Sequence, residues 1–401
     1  MNLKKLLLNA VATLSLCAIA GTASAAITSD INLYGASAQF IMWRDNAGAF
    51  MTSEGCTGVQ SAQLYVSGAP DGKNAISKGT CSGATRYFRT SAKASYDGIL
   101  AMQGNTTHPN RVNECPNATD RKMIDEATCN FTTGQCTGTK CVSVTVGASD
   151  VPVECFAQES HGALKGPLGG VWTDRNFKTN PIGWTGAEPC KPLVVPFAFF
   201  VNNTVKKSNA TITNIARDNA EILFSGQAYN WSDLVDVDGN AFDAGVVTAC
   251  LRHAGSGTHA SLDAYITSDL IVSQAVAADH KFYFNDGSSD EMKCVNGSGA
   301  WTGAGAIGYA DADQNLGSYA NTRRIALNSV TPAAATIANG TYNFYGLQQL
   351  YGVEEGSALC DFAGNPDNII NPLWVARCKM VFDRSNGCEA FPVVFVGATC
   401  P

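Results

Sequence analysis

Charge is scarce in this sequence. Asp, Glu, Lys and Arg together make up 15% of 401 residues, and no stretch is a basic run. Nucleic-acid backbones are held by clustered Lys and Arg, so a nucleic-acid partner is not expected. Histidine is rarer still, with five residues: His108, His161, His253, His259 and His280. Ser256 lies between two of these, but the Gly-x-Ser-x-Gly elbow of hydrolases is absent because position 254 is Ala. No stretch beyond the first 25 residues approaches the ~20 apolar residues that a spanning helix needs. There is no internal repeat. A calcium loop is not formed either: Asp236-Val237-Asp238-Gly239-Asn240 lacks the later glycine and glutamate of such loops and reads as a turn.

What is present is apolar and glycine-rich. Hydrophobic residues reach 45%, and there are 39 glycines. That composition supports sizeable cores with many turns and excludes a disordered chain. The first 25 residues read as a secretion signal. Lys4 and Lys5 precede an apolar stretch from Leu6 to Ala20, and Ala23-Ser24-Ala25 offers a small-residue cleavage site. Leu14-Ser15-Leu16-Cys17 is similar to a lipidation box, but Leu16 stands where a small residue is wanted. Cleavage removes two lysines and no acid, which takes the formal charge from −7 to −9. The mature chain is expected to be soluble, and periplasmic or secreted.

Cysteine usage points the same way. Of 15 cysteines, Cys17 lies in the leader, which leaves 14. An even number in an exported chain favours disulfides. Cys129, Cys136 and Cys141 also invite a zinc reading, but their spacings of six and four intervening residues fit zinc patterns poorly. No metal, cofactor or catalytic residue is expected. The pairing is not readable from spacing.

Along the chain, short strands alternate with helical stretches, which indicates an α/β fold with mainly parallel pairing. Ile31–Tyr34 reads as a strand running into a small-residue turn and a helix over about 39–50. Another strand, turn and helix follow over about 86–102. Residues 105–141, rich in Asn, Thr, Gly and Cys, read as a disulfide-tied surface insertion. Val142–Val146 alternates as a strand and ends at Ser149-Asp150. Leu193–Asn202 is a continuous apolar run, the pattern of a strand buried on both faces. Residues 212–223 read as a helix. The strand over 246–251 leads into Arg252-His253-Ala254-Gly255-Ser256-Gly257-Thr258, followed by a helical pattern over 261–277. Further strands are expected over 305–309 and 323–329.

Strand-to-helix turns lie at the carboxyl ends of strands, where open α/β sheets bind ligands. Gly255-Ser256-Gly257-Thr258 combines close backbone approach, two hydroxyl donors and a helix start, a combination suited to an anion. Arg252 adds a guanidinium four residues earlier. The plain reading is a capped turn. Asp150 is read either as a loop cap or as an acceptor for a protonated ligand.

In order, these segments resemble the phosphate-binding proteins of ABC transporters, a branch of the type II periplasmic binding-protein fold to which the DING proteins are related. Gly35-Ala36-Ser37-Ala38-Gln39-Phe40 resembles the family's first loop, and Ala94–Ile99 a divergent second loop. Val146–Asp150, Ile222–Gly226 with Asn230–Asp233, Arg252–Thr258, Ala306–Tyr309 and Asn339–Tyr342 follow collinearly. The resemblance implies ligand contacts at Gln39, Phe40, Ser95, Asp150, Arg252, Ser256, Gly257 and Thr258. Gln39 stands where the family has Thr, Ala254 where it often has an acid, and Tyr96 and Asp97 partly replace the glycines that flank Ser95. The resemblance also implies two α/β lobes, residues 26–197 with 317–401 and residues 198–316. A small inorganic oxyanion, phosphate first, would sit between them for uptake through an ABC permease. The alternative is a secreted structural or interaction protein that keeps the fold with altered ligand specificity.

Overall fold

The computed structural model describes residues 27–105, 114–160, 177–267, 281–368, 371–383, 388, 393–394 and 400. The expected leader, His108, His161, His280 and the end of the 261–277 pattern lie outside the described residues.

Two eight-stranded sheets organise the chain. At the centre of the first, Ile31–Gly35 runs parallel to Ala84–Ala92 on one side and Val146–Ser149 on the other. All three strands are largely buried, and they end together at Gly35, Ala92 and Ser149. The flanks are antiparallel: Ala69–Cys81 and Thr57–Val66 beyond one edge, Gln349–Tyr351 beyond the other. Gly35 has φ +138°, and a Cβ there would lie 2.2 Å from the Ala148 carbonyl oxygen. Only glycine fits that crossing point.

The second sheet is built on Leu193–Asn202, a strand of ten residues, every one buried. Its first half pairs with Tyr345–Leu347 and Val375–Ala376, and its second half with Ala306–Asp311 and Thr322–Leu327. One apolar run thus holds strands on both sides along its whole length, which is why it reads as continuously hydrophobic rather than alternating. Thr248–Arg252 runs parallel to both Lys281–Asn285 and Ala306–Asp311. The α/β class agrees with the sequence reading, and parallel pairing is concentrated around these inner strands. Thr322–Leu327 is hydrogen-bonded in the second sheet, whereas the sequence division at residue 317 put it with the first lobe.

Five helices position the seam between the sheets: Phe40–Ser53 (α1), Ser95–Met102 (α2), Arg217–Phe224 (α3), Gly257–Leu262 (α4) and Ser288–Asn296 (α5). α1 buries Met42, Trp43, Ala47, Phe50 and Met51, with Trp43 stacked on Phe88. Each fully buried side chain of this size contributes ~1.5–3 kcal/mol. The apolar core runs without a break from Trp43 and Phe88 to Phe199 and Phe224. The helix expected over 212–223 is shorter, because Asn214–Ile215 is drawn into the sheet beside Thr322–Leu327. Among the described residues, no helix is long and apolar enough to cross a membrane.

All 14 cysteines beyond Cys17 pair in disulfides, which excludes the zinc reading of Cys129, Cys136 and Cys141. The insertion is more ordered than its composition suggests. Asp120–Ile124 pairs with Thr139–Ser143, and Gln135–Cys136 joins the first sheet beside Thr57–Val66. The strand expected over 142–146 is two strands, Thr139–Ser143 and Val146–Ser149, because the first pairs within the insertion and the second within the sheet. Asp236 closes a plain turn, its carboxylate accepting from the backbone N–H groups of Asp238 and Asn240.

Candidate functional site at the seam

The ends of the inner strands of both sheets meet at the seam, and most of the expected site residues are there. Ser37–Gln39 forms a single 3-10 turn that delivers Gln39 into the interior. Gln39 Nε2 donates to the Ser149 carbonyl at 2.7 Å and to Asp150 Oδ1 at 3.0 Å, and Gln39 Oε1 accepts from Gln348 Nε2 at 2.9 Å. Asp150 is 1% exposed. Burial pushes its carboxyl up to about 6, against the opposing pull of Gln39, Arg252, Thr258 and Ser95.

α4 approaches this carboxylate end-on from the second unit. The Gly257 N–H donates to Ser95 Oγ at 3.1 Å, and the Thr258 hydroxyl reaches toward Asp150 Oδ2 at 3.5 Å. A Cβ on Gly257 would lie 2.5 Å from Ser95 Oγ and 3.0 Å from Asp150 Cβ, so glycine is what lets the two units touch. Ser256 caps α4, its Oγ accepting from the His259 backbone N–H at 3.4 Å. The Tyr96 N–H donates to the Gly255 carbonyl at 3.0 Å and closes the seam further.

Arg252 is 0% exposed and acts as a strut. Its Nη1 donates to Ser37 Oγ at 2.8 Å and Ser288 Oγ at 3.2 Å, one from each unit. Its Nη2 donates to the Asp286 carbonyl at 2.9 Å. Around it lie three more buried ionisable groups. Desolvation holds His259 down at about 3, and therefore neutral, with the Arg252 charge adding to the effect. Desolvation also raises Glu291 and Tyr309 well above their ordinary values. The His259 ring meets the Tyr309 hydroxyl, while Ser256 meets only the His259 backbone. The pair is therefore not arranged as nucleophile and base.

Seven of the eight expected residues, Gln39, Ser95, Asp150, Arg252, Ser256, Gly257 and Thr258, are buried in this seam. Phe40 is placed apart. It begins α1 and lines a neighbouring cleft of about 240 Å³ together with Ser37, Arg44, Lys73, Ser288 and Tyr319. Sequence reasoning missed Ser37, Gln348 and Ser288, whose partners are distant in the chain. It also missed Arg121, which donates to Asp97 Oδ1 at 2.9 and 3.1 Å. Asp97 is thereby tied to the insertion, in a pair with 0% and 3% side-chain exposure. Ala254 packs on Tyr96, and its N–H donates to Ser160 Oγ.

Chemically, the seam gathers a guanidinium, hydroxyls and a helix start around one carboxylate. Arg252 pairs across the seam with Ser37 and the Gly257 N–H with Ser95, while Arg252 also pairs within its own unit with Ser288 and Asp286. Separating the units would release the Gly257 N–H, the Ser95 and Thr258 hydroxyls and part of the Arg252 fork together.

No protein-family model matches the sequence, and no curated protein matches it. Solved structures with a similar chain course include a putative phosphate ABC transporter substrate-binding protein with bound phosphate from Clostridium perfringens. It is 10% identical, with 87% of this chain and 99% of that chain covered, at a TM-score of 0.45. A phosphate-binding protein from Stenotrophomonas maltophilia is 12% identical, with 84% and 82% covered, at 0.42. An ABC-type phosphate transport receptor from Vibrio cholerae is 16% identical, with 54% and 70% covered, at 0.33.

Proposed function

We propose that this chain is an extracytoplasmic solute-binding protein that captures phosphate, or a similar tetrahedral oxyanion, between its two units and hands it to an importer. It binds and releases its ligand and does no covalent chemistry on it. The observation that carries this reading is the convergence from both units of Arg252, Ser95 and Thr258 on buried Asp150, with the Gly257 N–H donating to Ser95 beside it. An oxyanion entering an opened seam takes the donors' hydrogen bonds, and closure removes it from water. Asp150 supplies selectivity. Ionised, it accepts from a protonated phosphate oxygen, whereas sulfate offers it only lone pairs. Fourteen cysteines in seven disulfides fit an oxidising compartment outside the cytoplasm.

One observation favours a second reading, an exported interaction protein that keeps the fold without the ligand. Gln39 already occupies Asp150, and the α4 start already occupies Ser95. Titration calorimetry with phosphate and sulfate at pH 7 separates the two. Wild type is expected to prefer phosphate by roughly tenfold or more, the size of leaving a buried acceptor unpaired, and Asp150→Asn is expected to narrow that gap. Wild type that binds neither anion supports the interaction protein instead.

A further inference from the structure

The cleft beside Arg252 is built for something larger than a bare oxyanion. Its volume of about 240 Å³ is many times the ~30 Å³ share of one water and a little below the roughly 300–1,000 Å³ of drug-sized pockets. It lies between the units. Ser37 and Phe40 come from the first, and Ser288, Ser289, Asp311, Gln314, Ser318 and Tyr319 from the second.

Two of these residues are the ones that touch the guanidinium. Ser37 Oγ and Ser288 Oγ stand 3.3 Å apart, and both accept from Arg252 Nη1. They form the partition between Arg252 and the open cleft. The two hydroxyls also hydrogen-bond each other, and Ser288 bonds the buried Asp311 carboxyl of the same cleft, which burial raises well above the usual carboxylate range.

The rest of the lining is polar but offers little free positive charge. The Lys73 ammonium is held by Asp286 at 3.0 Å and Asp290 at 2.7 Å, and Arg44 is paired with Asp45. Gln314, Asn315, Ser318 and Ser289 offer amides and hydroxyls, and Ser289 Oγ is buried without a hydrogen-bond partner among the described residues. Phe40 and Tyr319 add ring surface. Such walls suit a neutral body carrying hydroxyl groups, while the anionic end of the same molecule belongs at Arg252.

We propose that the ligand is a small phosphate monoester of a polyhydroxy compound, with its phosphoryl group on Arg252, Ser37 and Ser288 and its hydroxylated body in this cleft. The assignment rests on the oxyanion-binding reading above through Arg252 alone: it seats the ester's phosphoryl group on the Ser37 and Ser288 side of the guanidinium, while inorganic phosphate takes the Asp150 side. The phosphoryl oxygens take over the Arg252 hydrogen bonds now accepted by the two serines, and the serine hydroxyls turn to donate to the same group.

The test is calorimetry of the full mature chain with three probes: glycerol 3-phosphate, inorganic phosphate and glycerol. Glycerol 3-phosphate is expected to bind at least tenfold more tightly than inorganic phosphate, and glycerol to show no measurable heat. Ser318→Trp, at the exposed rim, and Ser289→Trp, deeper in, reduce the cleft. Each should lower glycerol 3-phosphate affinity tenfold or more and leave inorganic phosphate within twofold, with melting temperatures reporting an intact fold. Inorganic phosphate binding as tightly as the ester, with neither Trp variant altering the ester, overturns this inference and leaves the oxyanion reading standing. Binding of neither phosphate compound overturns both.

Discussion

On the Asp150 side of Arg252, the seam is filled by the protein's own groups. Gln39 links Gln348 to Asp150, and Gly257 seats on Ser95. On the Ser288 side, the same two units enclose an open cleft whose walls include a buried hydroxyl, that of Ser289, without a partner among the described residues. A single guanidinium borders both. The difference lies in side-chain reach. Gln39 is long enough to bridge to Asp150, and Gly257 is small enough to let α4 close down. Opposite them, the short Ser37, Ser288 and Ser289 leave room. A seam of given backbone shape can therefore be closed at one end and receptive at the other, depending on a few residues.

Three substitutions separate the two sides, in order of expected effect. Arg252→Ala should damage both. It strips acceptors in both units of a buried donor and removes the positive charge nearest Asp150 and Glu291. Leaving these buried acceptors unpaired costs about 1–3 kcal/mol each, readable by urea denaturation, and binding of either phosphate compound should be lost. An Arg252→Ala chain as stable as wild type, with unchanged affinities, would mean that the guanidinium unites nothing.

Asp150→Asn acts on the filled side alone, through pH. The buried carboxyl is held at about 6, above the ordinary ~3.9 of an aspartate. The folded chain keeps that proton at pH values where the unfolded chain has released it. The contribution of Asp150 to stability is therefore full below about pH 4, declines as pH rises to about 6, and is flat above. The shift corresponds to about 2–3 kcal/mol. Asp150→Asn should flatten this slope, so its melting temperature gains on wild type at pH 7 relative to pH 4. Parallel pH profiles for the two chains would place Asp150 in contact with water instead.

Gln39→Thr is the smallest change and tests why the filled side is filled. It removes an amide that bridges Gln348 and Asp150, at a cost of about 1–2 kcal/mol. It leaves space beside the carboxylate. Inorganic phosphate should then bind about tenfold more tightly, a change of about 1.4 kcal/mol, while glycerol 3-phosphate affinity stays within a few-fold. A rise for both ligands together would show that the two sides are one chamber.

Much of this molecule is written in local pattern. Leu193–Asn202 reads as a doubly buried strand because ten residues in a row have apolar surface to hide or a place inside the sheet, and it spans those bounds in the structure. The small-residue turns after Tyr34, before Ser95 and after Leu251 are legible because glycine, alanine and serine are what close backbone approach demands. The insertion was legible as cysteine-tied but not as structured. Its strands are short, and their order comes from the Cys115–Cys141 and Cys129–Cys136 links and from pairing with a sheet edge.

The sequence by itself determined that the chain is α/β, that its cysteines beyond the leader can pair without remainder, and that donors suited to an anion lie at strand ends. Tertiary structure alone decided which of those donors are free. Arg252 read as an open anion ligand, yet it meets Ser37, 215 positions away, and Ser288, 36 positions away. Gln39 read as a substituted pocket residue, yet it is held by Gln348, 309 positions away. Asp97 read as a departure in the Ser95 loop, yet it anchors Arg121 of the insertion. The physical reason is range. Strand burial and turn formation are set by neighbours within a few residues, whereas the occupancy of a buried hydrogen-bonding group depends on partners brought alongside only when the two sheets close on each other.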